Sequence, residues 1–252
     1  DGLSWEKTLT NPAWLGREDH SVLVYKDKIF VFQGMNSNWK WTSDVWFSTD
    51  RQNVSELTLG AGSFFSVYVS KNGEEKILVE KEKNKKLPIA SITKLMTALV
   101  AMEQYKVDDI ITISKDSLLV KGISGIYHVG DSFLFSDALR TMLIASHNEL
   151  ASAIAEKTGT VTFVDLMNKM TSDINISNTE FINPIGTDPD TEQGEINHST
   201  SFDLYKLARY IKENNQDILA ITTMKEFRLL NSGGKFVADV KTTDKLLDQK
   251  DL

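Results

Sequence analysis

The sequence predicts an α/β chain of the α+β kind, with helices packed on an antiparallel sheet and a short all-β segment ahead of them. Three observations carry this. Apolar runs of four to six residues flank tight-turn signals at Asn72-Gly73 and Gly233-Gly234, the mark of hairpins. Ile92–Met102 is apolar on nearly every face, the mark of a buried helix. All five tryptophans fall before residue 50, so composition changes sharply there.

Residues 1–50 contain Val22-Leu23-Val24-Tyr25 and Ile29-Phe30-Val31-Phe32, two strands joined by Lys26-Asp27-Lys28, and a third strand at Asp44-Val45-Trp46-Phe47. With Arg17, His20-Ser21 and Gly34 in order around them, this stretch resembles one kelch repeat, with Gln33 where a glycine is usual. One blade cannot bury both faces, and propellers use about four to eight. The expectation is therefore either further blades before Asp1 or a remnant packed on its neighbour, binding a protein or glycan partner. Residues 51–62 read as a linker, and 63–252 as one domain.

That domain opens with strands Phe64–Val69 and Lys76–Glu80 around Asn72-Gly73. The charged run 81–86 is a solvated loop leading to the apolar helix. Ile110–Ile113 is a short strand, and 114–135 is irregular. Ser136 caps a helix carrying Leu139, Met142 and Leu143, and a second apolar helix follows from Leu150 to Gly159. A further helix spans 160–170, with Phe163, Leu166, Met167 and Met170 at helical spacing. Helix 200–213 carries Leu204, Leu207, Ala208 and Ile211, with Thr200 and Asp203 as a capping pair. Phe227–Leu230 and Phe236–Val240 form the last hairpin.

Ser91 and Lys94 stand at the mouth of the apolar helix. Residues three apart share a helix face, so the hydroxyl and the amine lie side by side. Lysine at its ordinary pKa of about 10.4 is almost wholly charged at pH 7. Burial and the positive helix end both disfavour that charge, and a shift of about 3 units lets Lys94 take the Ser91 proton. The Ser91 N–H, free at the helix start, is placed to hold an oxyanion. The spacing S-x-x-K also occurs at Ser4/Lys7, Ser37/Lys40 and Ser232/Lys235, but in polar stretches without a buried helix. Ser146-His147-Asn148 falls at a junction between helices, where side chains can project into a cleft; Ser70-Lys71-Asn72 repeats the pattern in a hairpin turn and is set aside.

Pro88-Ile89-Ala90-Ser91-Ile92-Thr93-Lys94 followed by Ser146-His147-Asn148-Glu149-Leu150-Ala151 resembles the serine-type D-Ala-D-Ala carboxypeptidases, the low-molecular-mass penicillin-binding proteins. Phe181–Gly186, His198–Leu204 and Asn231-Ser232-Gly233-Gly234-Lys235 resemble further stretches of that family, so the likeness runs from about Phe64 to Leu252. It implies the antiparallel sheet and helical subdomain shared with serine β-lactamases, with the reactive serine between them. It implies that Ser91 is acylated with Lys94 as general base, that Ser146 relays protons to the leaving amine, and that Asn148 binds the substrate carbonyl or steadies Lys94. The substrate would be a peptidoglycan stem peptide ending in D-Ala-D-Ala, β-lactams would acylate the same serine, and the setting would be extracytoplasmic. The family's third motif, Lys-Thr/Ser-Gly on a sheet strand, is expected beyond the end of this chain. On that reading 1–252 is a piece, poorly active as it stands. Lys157-Thr158-Gly159 is expected to be a helix terminus rather than that motif.

The remaining composition narrows the alternatives. A formal charge of −7 argues against a nucleic-acid partner, and the absence of cysteine excludes disulfides and thiolate metal sites. The four histidines lack ligand spacing, so neither a metal nor a cofactor is expected. No run is long enough to span a bilayer, and no signal peptide opens the chain. Two rival functions are a serine β-lactamase, with Glu180 as the water-activating candidate, and a non-catalytic kelch-bearing binding protein with a degenerate hydrolase domain.

Overall fold

The computed structural model describes residues 61–70, 72–187 and 194–248, together with the backbone of six short strands before residue 50. It divides into two compact units, 1–85 with 200–202, and 86–199 with 203–252.

The first unit holds β1 (Trp5–Lys7), β2 (Arg17–Glu18), β3 (Ser21–Tyr25), β4 (Lys28–Phe32), β5 (Met35–Asn36) and β6 (Val45–Ser48). Strands β1, β6, β4 and β3 form, in that order, a four-stranded antiparallel sheet, while β2 pairs with β5. The three expected strands are β3, β4 and β6. At three and two residues, β1, β2 and β5 are too short to show a period of two. His20, Gly34, Asp44 and 51–60 of the expected linker lie outside the described residues.

In the same unit β7 (Phe64–Val69) and β8 (Glu75–Lys81) make the expected hairpin. Gly73, at φ 86°, takes the left-handed position its turn requires. Phe65 meets Phe202 edge to face at 5.1 Å, and the Lys83 ammonium lies over both rings, at 5.6 and 5.4 Å from their centres.

The second unit is built on α1 (Thr93–Gln104), entered through β9 (Leu87–Pro88) and a 3-10 turn at Ala90–Ile92. Met96, Ala98, Leu99, Val100 and Ala101 are all but inaccessible, and Leu95 and Met102 are partly buried, so the helix is enclosed nearly all round as its composition predicts. Each such large side chain contributes about 1.5–3 kcal/mol by its burial. After β10 (Ile110–Thr112), residues Ser132–Leu134 form β11, which pairs with it. The expectation of an irregular 114–135 is thus corrected: three residues of strand escape a pattern search but are held by the β10 ladder.

Helix α2 (Phe135–Ala145) also corrects the sequence reading, because it starts before Ser136 and has no side-chain cap. The Phe135 and Ser136 N–H groups donate instead to the Asp109 and Val107 carbonyls, and Phe135 is buried edge-on against Tyr105. Tertiary contacts therefore satisfy two of the first N–H groups of the helix, which have no acceptor within it. Helices α3 (Asn148–Glu156) and α4 (Thr160–Asp173) pack against α1, with Lys157-Thr158-Gly159 forming the turn between them. Beyond these come β12 (His198–Ser199), paired with β9, then α5 (Ser201–Asn214) and a short α6 (Gln216–Thr222) that the sequence reading omits. The last two strands, β13 (Glu226–Leu230) and β14 (Phe236–Lys241), form the expected hairpin. No helix among the described residues is long and apolar enough to cross a membrane.

Candidate active site

Ser91 lies exposed in the Ala90–Ile92 turn, one residue after Ala90, whose φ of 45° is in the left-handed region. Non-glycine residues persist there only where their surroundings enforce it. The enforcing neighbours are visible. Pro88 and Leu87 are held in the β9–β12 ladder, and the Ile89 N–H donates to the Asn197 carbonyl. The Ser91 N–H has no acceptor among the described residues, so it is open to a ligand.

Lys94 sits one turn on, 2 % exposed, with its Nζ 3.0 Å from Ser91 Oγ and 3.0 Å from the Ile185 carbonyl oxygen. Burial lowers its pKa from 10.5 to about 8, partly offset by the negative charge of Glu149. At pH 7 about a tenth of such lysines are neutral, enough to accept a proton from the hydroxyl beside them.

Segment 182–187 covers this amine, and the sequence reading assigned it no role. Asn183 Oδ1 accepts from the Ile185 and Gly186 N–H groups, folding the segment back on itself, and Thr97 Oγ1 donates to the Pro184 carbonyl. Asn197, 3 % exposed, ties the segment to α1. Its Oδ1 accepts from the Ile182 and Asn183 N–H groups, and its Nδ2 donates to Thr93 Oγ1 and the Asn183 carbonyl. Phe181–Gly186 stands out in the sequence by its resemblance and Asn183-Pro184-x-Gly186 by its turn signature, though neither shows that it covers Lys94; Asn197 carries no signal. Asn197→Ala strands four polar groups, one fully buried on Thr93 and three half-buried on Ile182 and Asn183, and the expected cost is about 3 kcal/mol in denaturant unfolding. A loss below about 1 kcal/mol contradicts this account of the segment.

Ser146 and Asn148 occupy the junction of α2 and α3. Ser146 ends α2 in the left-handed conformation, φ 58° and ψ 35°, and Asn148 is the first residue of α3. Neither is hydrogen-bonded to Ser91 or Lys94. Burial depresses the pKa of His147, which lies between them, against the pull of Glu149, and the Lys94 charge adds to the depression, so the turn is within reach of the ammonium's field. Asn148 Nδ2 donates to the Lys121 carbonyl at 2.7 Å, which leaves Oδ1 as the free end of the amide, buried and unpartnered among the described residues. In this rotamer the side chain offers an acceptor rather than the donor a substrate carbonyl needs. Glu149, 1 % exposed, was not singled out from the sequence; its Oε1 accepts from the N–H and hydroxyl of Ser124, and its Oε2 is buried without a partner.

Glu180 is more than half exposed, bridges to His198 through the backbone, and makes no hydrogen bond to Ser91 or Lys94. Lys157 donates to the Ile110 carbonyl and Thr158 Oγ1 meets Tyr105 OH, both away from Ser91. No group of three or more potential metal ligands occurs among the described residues.

The family model for D-alanyl-D-alanine carboxypeptidase, peptidase family S11, matches residues 50–251. The D-alanyl-D-alanine carboxypeptidase DacF of Bacillus subtilis is 29 % identical over 199 residues, covering 73 % of this chain and 49 % of that protein. A D-alanyl-D-alanine endopeptidase of Pseudomonas aeruginosa is 30 % identical over 125 residues, 48 % of this chain and 40 % of that one. The chain thus spans about half the length of the curated relatives it matches. Among solved structures, the D-alanyl-D-alanine carboxypeptidase of Mycobacterium tuberculosis superposes with a TM-score of 0.65 at 21 % identity, over 75 % of this chain and 69 % of that one. Penicillin-binding protein D2 of Listeria monocytogenes in its cefotaxime-bound form gives 0.64 at 25 % identity, over 78 % and 77 %.

Proposed function

Because the chain belongs to the D-alanyl-D-alanine carboxypeptidase family, peptidase family S11, we propose that it is a serine hydrolase acting on peptidoglycan stem peptides that end in D-Ala-D-Ala, outside the bacterial plasma membrane. The observation that carries this is the 3.0 Å contact between Ser91 Oγ and a buried Lys94 amine. Ser91 Oγ attacks the carbonyl carbon of the penultimate D-Ala while its proton passes to Lys94 Nζ. The peptide C–N bond breaks, and the departing D-Ala amine takes a proton from the Lys94 ammonium through the Ser146 hydroxyl. Water then attacks the Ser91 ester, giving one proton to Lys94, which returns it to Ser91 Oγ. The free Ser91 N–H supports an oxyanion role. The unpartnered Oδ1 of Asn148 favours the steadying role, accepting from the Lys94 ammonium.

A penicillin carries the same electrophile in a strained ring, so a fluorescent penicillin should label the chain at Ser91 and fail to label Ser91→Ala. Labelling is expected to be slow in 1–252, and a wild type that stays unlabelled on prolonged incubation contradicts the proposal and favours the non-catalytic binding reading. An adduct lasting minutes to hours distinguishes a penicillin-binding protein from a β-lactamase. Labelling should also follow the ionisation of Lys94. Only the neutral amine is a base, so the rate should rise about tenfold per pH unit below pH 7 and level off above about pH 9. A rate flat from pH 6 to 9 contradicts the base assignment.

The kelch-like reading of 1–50 draws support from its four-stranded antiparallel sheet, the strand number of one propeller blade. In this reading the segment binds a protein or glycan partner. Wild type and a chain starting at residue 51 that retain immobilised peptidoglycan equally would refute glycan binding.

A further inference from the structure

We infer that His147 is a positioning residue: the Tyr127 phenol locks its imidazole, and the locked ring holds the Ser146–Asn148 turn in shape. The kinetic consequence rests on the hydrolase reading above; the lock itself rests on geometry. Tyr127 OH lies 2.6 Å from His147 Nδ1, and the two rings meet edge to face at 5.6 Å. Tyr127 is 5 % exposed and is itself held edge-on by the fully buried Phe133 of β11. Burial and the charges of Glu149 and Asp131 push the phenol's pKa well up, so it keeps its proton, and Nδ1 is the one partner among the described residues to which that proton can be given. In the lock Nδ1 accepts that proton, which places the imidazole's own proton on Nε2. Burial and the Lys94 charge depress the His147 pKa against the opposing pull of Glu149.

The lock matters because of what stands on either side of it. Ser146, just before it, adopts φ 58°, a conformation that a serine holds only when its surroundings over-determine it. Three consecutive residues supply that determination, each tied to segment 121–127. His147 accepts from Tyr127, Asn148 donates to the Lys121 carbonyl, and Glu149 accepts from Ser124. Of the three, the Tyr127–His147 bond lies nearest in sequence to Ser146 and is anchored in the core. Without it, the left-handed turn loses the contact that fixes its first tied residue, and the Ser146 hydroxyl is no longer held in one place.

Solution NMR of the 252-residue chain labelled with 15N-histidine reads the lock directly. Wild type is expected to show an unprotonated Nδ1 and a protonated Nε2, and Tyr127→Phe to lose that preference. In the same samples, carbon shifts and the amide–α-proton coupling should place Ser146 in the left-handed region in wild type and not in Tyr127→Phe. Acylation by a fluorescent penicillin should slow about fivefold to tenfold in Tyr127→Phe and His147→Ala. His147→Gln, whose amide oxygen can accept from the phenol, should recover most of that loss; melting temperatures identify any variant that fails to fold. A proton on Nδ1, or an unchanged Ser146 conformation in Tyr127→Phe, overturns the inference. So do Tyr127→Phe and His147→Ala variants that are acylated at the wild-type rate. A chain with both NMR signatures that penicillin does not label contradicts the hydrolase reading alone.

Discussion

Replacing Lys94 with methionine is expected to slow acylation of Ser91 by about 10³- to 10⁴-fold while leaving the fold standing, because the amine supplies base catalysis and little net stability. Burying the charged amine is unfavourable. A pKa lowered from 10.5 to about 8 corresponds to about 3 kcal/mol at neutral pH. Methionine avoids that cost but leaves the Ile185 carbonyl without its donor, a loss of about 1–3 kcal/mol, so the two effects nearly cancel. The pH dependence separates them. Below pH 8 the lysine is charged in both folded and unfolded chains, and the cost is fully present. Between pH 8 and 10.5 the folded lysine is neutral while the unfolded one is still charged, so wild type gains stability as pH rises. The difference in unfolding free energy between wild type and Lys94→Met should therefore grow in favour of wild type from pH 8 to 9.5. A constant difference contradicts a lowered pKa.

Gly186→Ala should be the most damaging single methyl in the second unit. A Cβ built there lies 1.9 Å from the Ala90 carbonyl oxygen, 2.4 Å from its carbon and 2.8 Å from Thr93 Oγ1, on a backbone at φ 86°. Two of those neighbours are backbone atoms of the turn that carries Ser91, so relief requires moving the turn or segment 182–187. The expected cost is about 3 kcal/mol or more, from overpacking and left-handed strain together. What survives should react slowly and at higher pH, because displacing Ile185 uncovers Lys94 and lets its pKa climb toward the ordinary value. Thermal melting and the pH profile of penicillin acylation check both parts; a variant with wild-type melting and profile refutes the close approach.

The parts of this site that could be read in advance are those that local spacing encodes. Ser91 and Lys94 are three apart at the mouth of an apolar helix, and the Asn72-Gly73 and Gly233-Gly234 turns announce their hairpins. The parts that could not are set by contacts across the chain. Lys94 is covered by the Ile185 carbonyl, and a backbone oxygen has no sequence signature. Asn197 reaches Thr93 from 104 residues away. Glu149 is one of 35 acidic residues, and only folding shows it buried beside a lysine, a histidine and a tyrosine. The start of α2 moved because Phe135 found a core to enter and the Asp109 and Val107 carbonyls found donors, neither of which a capping rule can anticipate.

The most direct test is the titration of Lys94 itself, followed through the 13Cε shift of the lysine signal that disappears in Lys94→Met. A midpoint near pH 8 is the predicted result. A midpoint above 10, in the range of a solvated lysine, would contradict the claim that Ser91 has a neutral amine beside it to take its proton.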